Sequence, residues 1–363
     1  MSSNNTSSSR EKKGVRNTQN VISIIFLSLV SLMALSLSIV LLIKNANLKM
    51  REDAVRSELD SLNAEGYYTQ AEAQKLIEEV KSETEKNTLE GIKTMVKEML
   101  ENGDSPIAAI RALFLDQLVV ANSGRYYFFP ISDDIDHHGF SEDDFEYDEK
   151  GFLYYAGDDA SVNVKTGVDV SRFQGKIDWK SVADDGIDYA IIRVGLRGTT
   201  EGKLLYDDCF EDNVKGALQN GVDVGVYFYS QAVSVDEVKE EVQMMLDAIE
   251  PYEIKYPVVI DVESAESDEA RTAGMSSDDY EEIVSTFCDM VRQAGYTPMI
   301  YGNVKSFTLL MDATDVDDYD IWIAYYGTPL YYPYHFDMWQ YSSTGKVNGI
   351  DGDVDLNVCL TEY

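Results

Sequence analysis

From Lys165 to the C-terminus, short β-branched runs alternate with amphipathic helical stretches, and that alternation restricts the fold more than any other feature. Runs over 167–171, 189–195, 223–230, 256–263 and 297–302 read as strands, with helical patterns such as 237–249 and 277–294 between them. Such an order calls for a parallel sheet covered by helices. After the fifth strand the pattern changes. Segments 320–327, 336–343 and 354–358 read as strands with little room for helices. Five βα units followed by three plain strands give the strand number that closes a ring with a filled interior. The alternative is an open doubly wound sheet. No glycine-rich phosphate loop follows the first strand, which argues against a dinucleotide-binding version of it.

The first 164 residues read differently. Residues 1–20 are polar, with Arg10, Lys12, Lys13 and Arg16 leading into an uncharged run over 21–43. As a helix that run spans about 34 Å, enough for a bilayer core. It is longer than the apolar part of a cleaved signal peptide, and no small-x-small cleavage site follows. The basic cluster predicts a single-pass span in the cell membrane with residues 1–20 inside and the C-terminal part outside. Residues 44–102 are charged and helix-favouring, broken near Gly66-Tyr67-Tyr68, with Leu89, Ile92, Val96 and Met99 forming a short stripe. The stripe reads either as self-association through a helical stalk or as a solvated spacer. Residues 103–164 read as a small β-rich linker module, with aromatic runs at Arg125-Tyr-Tyr-Phe-Phe-Pro130 and Phe152-Leu-Tyr-Tyr155.

Charge excludes some partners. The chain has 65 Asp and Glu against 30 Lys and Arg, a formal charge of -35. Such a surface repels nucleic acid and anionic headgroups, so no nucleic-acid partner is expected. Cys209, Cys288 and Cys359 are odd in number and far apart, and they read as free thiols rather than a disulfide framework or a metal site.

Carboxylates gather at the predicted C-terminal ends of the strands, where a parallel barrel carries its chemistry. Asp169 lies in Gly-Val-Asp-Val-Ser, Asp261 and Glu263 in Pro257-Val-Val-Ile-Asp-Val-Glu, and Asp355 in Asp353-Val-Asp-Leu-Asn. A spacing of two on a strand points Asp261 and Glu263 to one side, with Cα atoms ~6–7 Å apart. Two like charges on a buried strand raise at least one pKa. One protonated carboxyl beside an ionised one is the equipment for cleaving a glycosidic bond: one gives a proton to the leaving oxygen, the other stabilises positive charge at the sugar carbon. The alternative is a structural ion pair, for instance with Arg193. Aromatic and polar side chains near the same strand ends, Tyr227, Tyr229, Tyr301, Trp322, Tyr325, Trp339 and Gln340, offer flat faces and hydrogen bonds to sugar rings. Alternation allows only part of that set to face one side, and Tyr325 and Tyr326 cannot both do so. Two patterns resemble metal sites. His137 and His138 are adjacent and so point apart on a strand. The run Asp351-x-Asp353-x-Asp355, with Glu362 at the twelfth position, resembles a calcium loop but has Leu356 where the sharp turn needs glycine.

Six motifs in order carry a family resemblance over 165–363. They are Gly167-Val-Asp-Val-Ser-Arg-Phe-Gln-Gly175 with Ile177-Asp-Trp179, Tyr189-Ala-Ile-Ile-Arg-Val-Gly195, Gly225-Val-Tyr-Phe-Tyr-Ser230, Pro257-Val-Val-Ile-Asp-Val-Glu263, Trp322-Ile-Ala-Tyr325, and Trp339-Gln-Tyr-Ser-Ser-Thr-Gly345 with Val354-Asp-Leu-Asn357. The segment resembles the family 25 glycoside hydrolases, lysozymes of the Chalaropsis type. The resemblance implies an α/β (β/α)5(β)3 TIM-like barrel acting as an N-acetylmuramidase. Its expected partner is the bacterial peptidoglycan glycan strand, cut at the β-1,4 bond between N-acetylmuramic acid and N-acetylglucosamine. It implies Glu263 as general acid and Asp261 as stabiliser of the transition state, with Asp169 and Asp355 completing the acidic cluster. No metal and no organic cofactor is implied. The competing function is a surface protein that binds wall glycan without cutting it. A chitinase-like barrel is a third reading, but the run before Glu263 lacks the earlier aspartates of that type.

Overall fold

The computed structural model describes residues 49–51, 54–57, 70–141, 143–264, 269–327 and 330–363. The expected membrane span at 21–43 and the break near Gly66 lie outside the described residues. Among the described residues no helix is long and apolar enough to cross a membrane. The chain divides into two compact units, Met1–Ala109 and Ile110–Tyr363.

In the first unit, helix Gln70–Glu101 is rich in long charged side chains, which keep rotamer freedom in a helix. Ion pairs one turn apart, such as Lys93 to Glu90 at 2.9 Å, support its exposed face. Leu89, Ile92, Val96 and Met99 are half-buried along it. Gly103, at φ 96°, ends the helix. Its N–H bonds the Leu100 carbonyl and that of Asp104 reaches the Met99 carbonyl, satisfying carbonyls the helix would leave open.

The second unit opens with two hairpins. Strands β1 (Gln117–Asn122) and β2 (Arg125–Pro130) pair antiparallel through Ser123-Gly124, both at positive φ, the two-residue turn whose twist suits paired strands. Strands β3 (Phe145–Tyr147) and β4 (Leu153–Tyr155) form the second hairpin.

The remaining strands are β5 (Lys165–Val170), β6 (Tyr189–Arg197), β7 (Leu204–Tyr206), β8 (Asp223–Ser230), β9 (Val258–Val262), β10 (Pro298–Asn303), β11 (Asp320–Ala324), β12 (Met338–Gly345) and β13 (Val354–Cys359). Their order is β5-β13-β12-β11-β10-β9-β8-β6, and pairing of β5 with β6 closes the ring. All neighbours in the ring are parallel except β13, which runs antiparallel to β12 and to β5. Short β7, which the sequence did not suggest, adds to the outer end of β6. Helices Trp179–Asp184, Phe210–Gln219, Val235–Ile249 and Ser277–Gln293 cover the ring from β5 to β9, whereas a five-residue π turn, Ser306–Leu310, and a 3-10 turn, Ala313–Asp315, follow β10. The serines before the last two helices, Ser234 and Ser276, cap them by accepting N–H groups of the first turn.

Alternation along each strand builds two cores. Val168, Ala190, Ile192, Val258 and Ile260 point outward under the helices, whereas Tyr189, Ile191, Val259, Met299 and Met338 fill the interior. Gly167 makes room there, since a Cβ at that position would lie 2.2 Å from the Tyr189 ring. Where helices are missing, over β11 and β12, the hairpins take their place. Phe145 meets Trp339 edge-on at 5.5 Å, the Tyr341 hydroxyl accepts the Leu153 N–H at 3.2 Å, and the Tyr331 hydroxyl accepts that of Val119 at 2.8 Å. Residue 165 thus marks where the ring begins, while the compact unit that contains it begins at Ile110.

Candidate active site

The inward positions at the C-terminal ends of the parallel strands carry polar groups in place of the apolar interior below. Asp169 on β5 is in register with Asp355 on β13, and Asp261 on β9 with Tyr229 on β8 and Tyr301 on β10. Glu263 follows just past the end of β9.

Asp169 is buried and accepts at one oxygen from the side-chain amides of Gln340 and Asn357, each at 2.9 Å. Both donors are themselves fixed. Gln340 accepts the hydroxyls of Tyr301 at 2.9 Å and Tyr326 at 2.8 Å, and Asn357 accepts the Trp322 indole N–H at 2.9 Å. Burial still raises the Asp169 carboxyl, against the pull of these donors. Asp261 is buried with one oxygen that finds no hydrogen-bond partner among the described residues. Its pKa stands well above the ordinary value, first through burial and then through the charges of Glu263 and Asp169. Glu263 is half-buried and also raised by burial, although the Asn303 amide donates to its carboxylate. Asp355 is pushed up to about 8 by burial and by the Asp169 charge beside it. Four clustered carboxyls with raised pKa values cannot all ionise near neutral pH, so the cluster retains protons.

Arg193, the base that competed for the acidic pair, is bound elsewhere. Its guanidinium meets Asp207 at 2.7 and 2.8 Å, both side chains buried. It stays close enough to lower the Asp261 pKa slightly. Phe173 lies over Arg193 with its ring 5.2 Å from the guanidinium carbon and is 75% exposed, an apolar face beside the cluster.

Of the expected sugar-contacting residues, Tyr227, Tyr301, Trp322 and Gln340 stand on the inner side, and Tyr229 faces Asp261 and Glu263. Trp322 and Gln340 are buried, so they hold Asn357 and Asp169 in place from beneath the opening. Two expectations are corrected. Trp339 points outward into the hairpin contact, and Tyr325 packs in the same outer core with its carbonyl accepting the Trp339 indole N–H at 2.8 Å. Tyr326, of the pair that could not both face inward, is the one that reaches Gln340. The physical reason is strand parity: Trp322, Ala324 and Tyr326 share one side, as do Met338 and Gln340, which leaves Tyr325 and Trp339 on the other.

Asn303, Asn357 and Asp207 belong to the site and were not singled out from the sequence. Parity with Asp355 and Tyr301 would have pointed to Asn357 and Asn303. Nothing local marked Asp207, which follows the unforeseen β7. The other metal patterns resolve into ordinary contacts. Asp353 pairs with Lys346 at 2.6 Å, and His138 accepts the Phe140 N–H at 2.8 Å. Among the described residues no group of three or more His, Cys, Asp or Glu could hold a metal ion. Cys209, Cys288 and Cys359 are free thiols.

Comparison with known proteins agrees with this geometry. The family described as glycosyl hydrolases family 25 matches residues 168–350. The uncharacterized protein YegX of Escherichia coli K12 is 32% identical over 201 residues, covering 53% of this chain and 68% of YegX. The autolytic lysozyme of Clostridium acetobutylicum is 28% identical over 192 residues, covering 53% of this chain and 54% of the lysozyme. Among solved structures, the modular autolysin LytC of Streptococcus pneumoniae in complex with a synthetic peptidoglycan ligand superposes with a TM-score of 0.51 at 23% identity. That match covers 66% of this chain and 57% of LytC. At that identity the LytC match speaks for the fold alone.

Proposed function

Because the chain belongs to glycosyl hydrolases family 25, we propose that it is a peptidoglycan hydrolase. The bond it cuts is the β-1,4 linkage between N-acetylmuramic acid and N-acetylglucosamine. The observation that carries this reading is the convergence of Asp169, Asp261, Glu263 and Asp355 at one end of a closed ring, with raised pKa values and protons to share.

Each group then has a part that its surroundings suit. Glu263 is the most accessible member of the Asp261–Glu263 pair and stands at the strand end, so it gives its proton to the glycosidic oxygen as the bond to the sugar carbon breaks. Asp261 lies deeper, with a free oxygen that takes the N–H of the substrate's acetamido group and turns that group's carbonyl oxygen toward the sugar carbon. Asp169, held by two amide donors, is the member best stabilised as an anion, and it offsets positive charge on the sugar. Water completes the reaction by attacking that carbon, and the proton it loses passes to the Glu263 carboxylate, which restores the acid.

The relative named autolytic lysozyme supports a cell-wall substrate. We further propose that residues 21–43 anchor the protein in the cell membrane with the hydrolase unit outside. Proteolysis of intact cells and of lysed cells tests this: the C-terminal unit should be cut in both.

The test of function is clearance of a peptidoglycan suspension by the full chain, followed by mass spectrometry of the fragments. N-acetylmuramic acid at the new reducing ends supports the reading. Binding to the wall without release of fragments would instead favour a glycan-binding surface protein.

A further inference from the structure

The acid assigned above stands outside the strand ladder. Glu263 follows the last ladder residue of β9, Val262. Loop carboxylates usually sample several rotamers, so a proton donor there needs to be held. A turn at the end of β10 supplies the hold.

Asn303 is the last residue of β10. It stands two beyond Tyr301, which is in register with Asp261, so strand geometry sets Asn303 beside Glu263, two beyond Asp261. The Asn303 side chain is fixed from behind. Its Oδ1 accepts the N–H groups of Lys305 at 2.9 Å and Ser306 at 3.3 Å. With the oxygen committed to the loop, the amide N–H groups face the other way, toward the Glu263 carboxylate, whose proton affinity they lower. The same turn grips the backbone. Ser306, almost fully buried, accepts the Asn303 N–H at 3.3 Å and donates its hydroxyl to the Val262 carbonyl at 3.0 Å. On the other flank, buried Gln231 donates to the carbonyls of Ser230 at 3.0 Å and Glu263 at 3.4 Å.

We propose that Asn303 is a positioning residue for Glu263, presenting its carboxyl in one orientation. The inference rests on the reading of Glu263 as the acid. Other titratable groups face Glu263 from every side: Asp169 on β5, Asp261 on β9, Asp355 on β13, Tyr229 on β8, Tyr301 on β10, and Tyr326 after β11. The charge of Asp169 hinders loss of the Glu263 proton. Asn303 works against it and keeps the proton labile enough to transfer.

The sign of the effect follows. A donor to a carboxylate favours its charged form, so removing the donor raises the pKa of Glu263. A general acid must be protonated to act, so the basic limb of the pH–rate profile moves to higher pH. Asn303→Ala is the sharpest probe, because it removes the donor and adds no charge. Asn303→Leu, of similar size and also uncharged, serves if the alanine variant fails to fold, and thermal unfolding monitors both. Measured on the full chain with solubilised peptidoglycan, either folded variant should lose about 10-fold in kcat with KM little changed. Its basic limb should rise by about one pH unit. A variant that keeps the native limb, whether its activity is native or uniformly reduced, overturns the proposal. Glu263→Gln is run beside them. Activity surviving in that variant would remove Glu263 as the acid, a failure separate from that of Asn303.

Discussion

Asp355 stands directly opposite Asp169 on the antiparallel strand pair β5–β13 that closes the ring, and the two carboxyl groups are hydrogen-bonded to each other. Two carboxylates cannot share a hydrogen bond unless one keeps its proton. Asp169 already accepts from Gln340 and Asn357, so Asp355 is the natural donor. This pair lies alongside Asp261 and Glu263 and sets the charge that both of them feel.

The stability of the protein should report that proton. The folded-state pKa of Asp355 is raised to about 8, so the native state binds more protons than the unfolded chain between about pH 4 and pH 8. The contribution of this group to stability therefore falls as pH rises through that window. Asp355→Asn cannot ionise and keeps an N–H to offer Asp169. Its stability relative to the native chain should rise between pH 5 and pH 8, by about 1 kcal/mol or more. Urea unfolding at the two pH values checks this, and an unchanged difference would assign the proton elsewhere.

A second prediction concerns the buried ion pair. The Asp207 side chain accepts Arg193 and also the backbone N–H groups of Arg172 at 3.1 Å and Cys209 at 3.0 Å. Asp207→Ala would strand a buried guanidinium next to Phe173 and cost about 3–5 kcal/mol. A loss below about 1 kcal/mol in chemical denaturation would mean that Arg193 finds another partner, Asp261, which already feels its charge, being a candidate.

The hairpins make a third. Without residues 110–164, the outer faces of Phe336, Trp339 and Tyr341 lose the side chains that bury them. A chain beginning at residue 110 should unfold cooperatively, whereas one beginning at 165 should aggregate or melt without a sharp transition. Circular dichroism on the two purified chains decides, and equal midpoints would show that the ring stands without its hairpins. Within the intact protein, Tyr341→Phe removes the acceptor for the Leu153 N–H and should cost ~1 kcal/mol.

The ring was legible because its strands are β-branched runs buried on both faces, a local signal that periodicity detects. The four carboxylates were legible for the same reason, as charges interrupting such runs at fixed phase. Parity separates neighbouring residues. Trp339 and Gln340 are adjacent, so only one could serve the site, and the register of Gln340 with Asn357 decides which. The partners of these groups were hidden because they are distant in sequence. Asn357 and Asp169 lie 188 residues apart, and so do Leu153 and Tyr341. Asn303 was hidden differently: its importance comes from a turn whose hydrogen bonds no single residue announces.

The most direct test of the whole account is release of new reducing ends from purified peptidoglycan by the full chain and by Glu263→Gln, measured at the native pH optimum with wall binding followed in parallel. The account predicts that the native chain releases N-acetylmuramic acid ends, and that the variant binds the wall as well as the native chain while its release falls at least ~100-fold. Release by the variant at the native rate would contradict it.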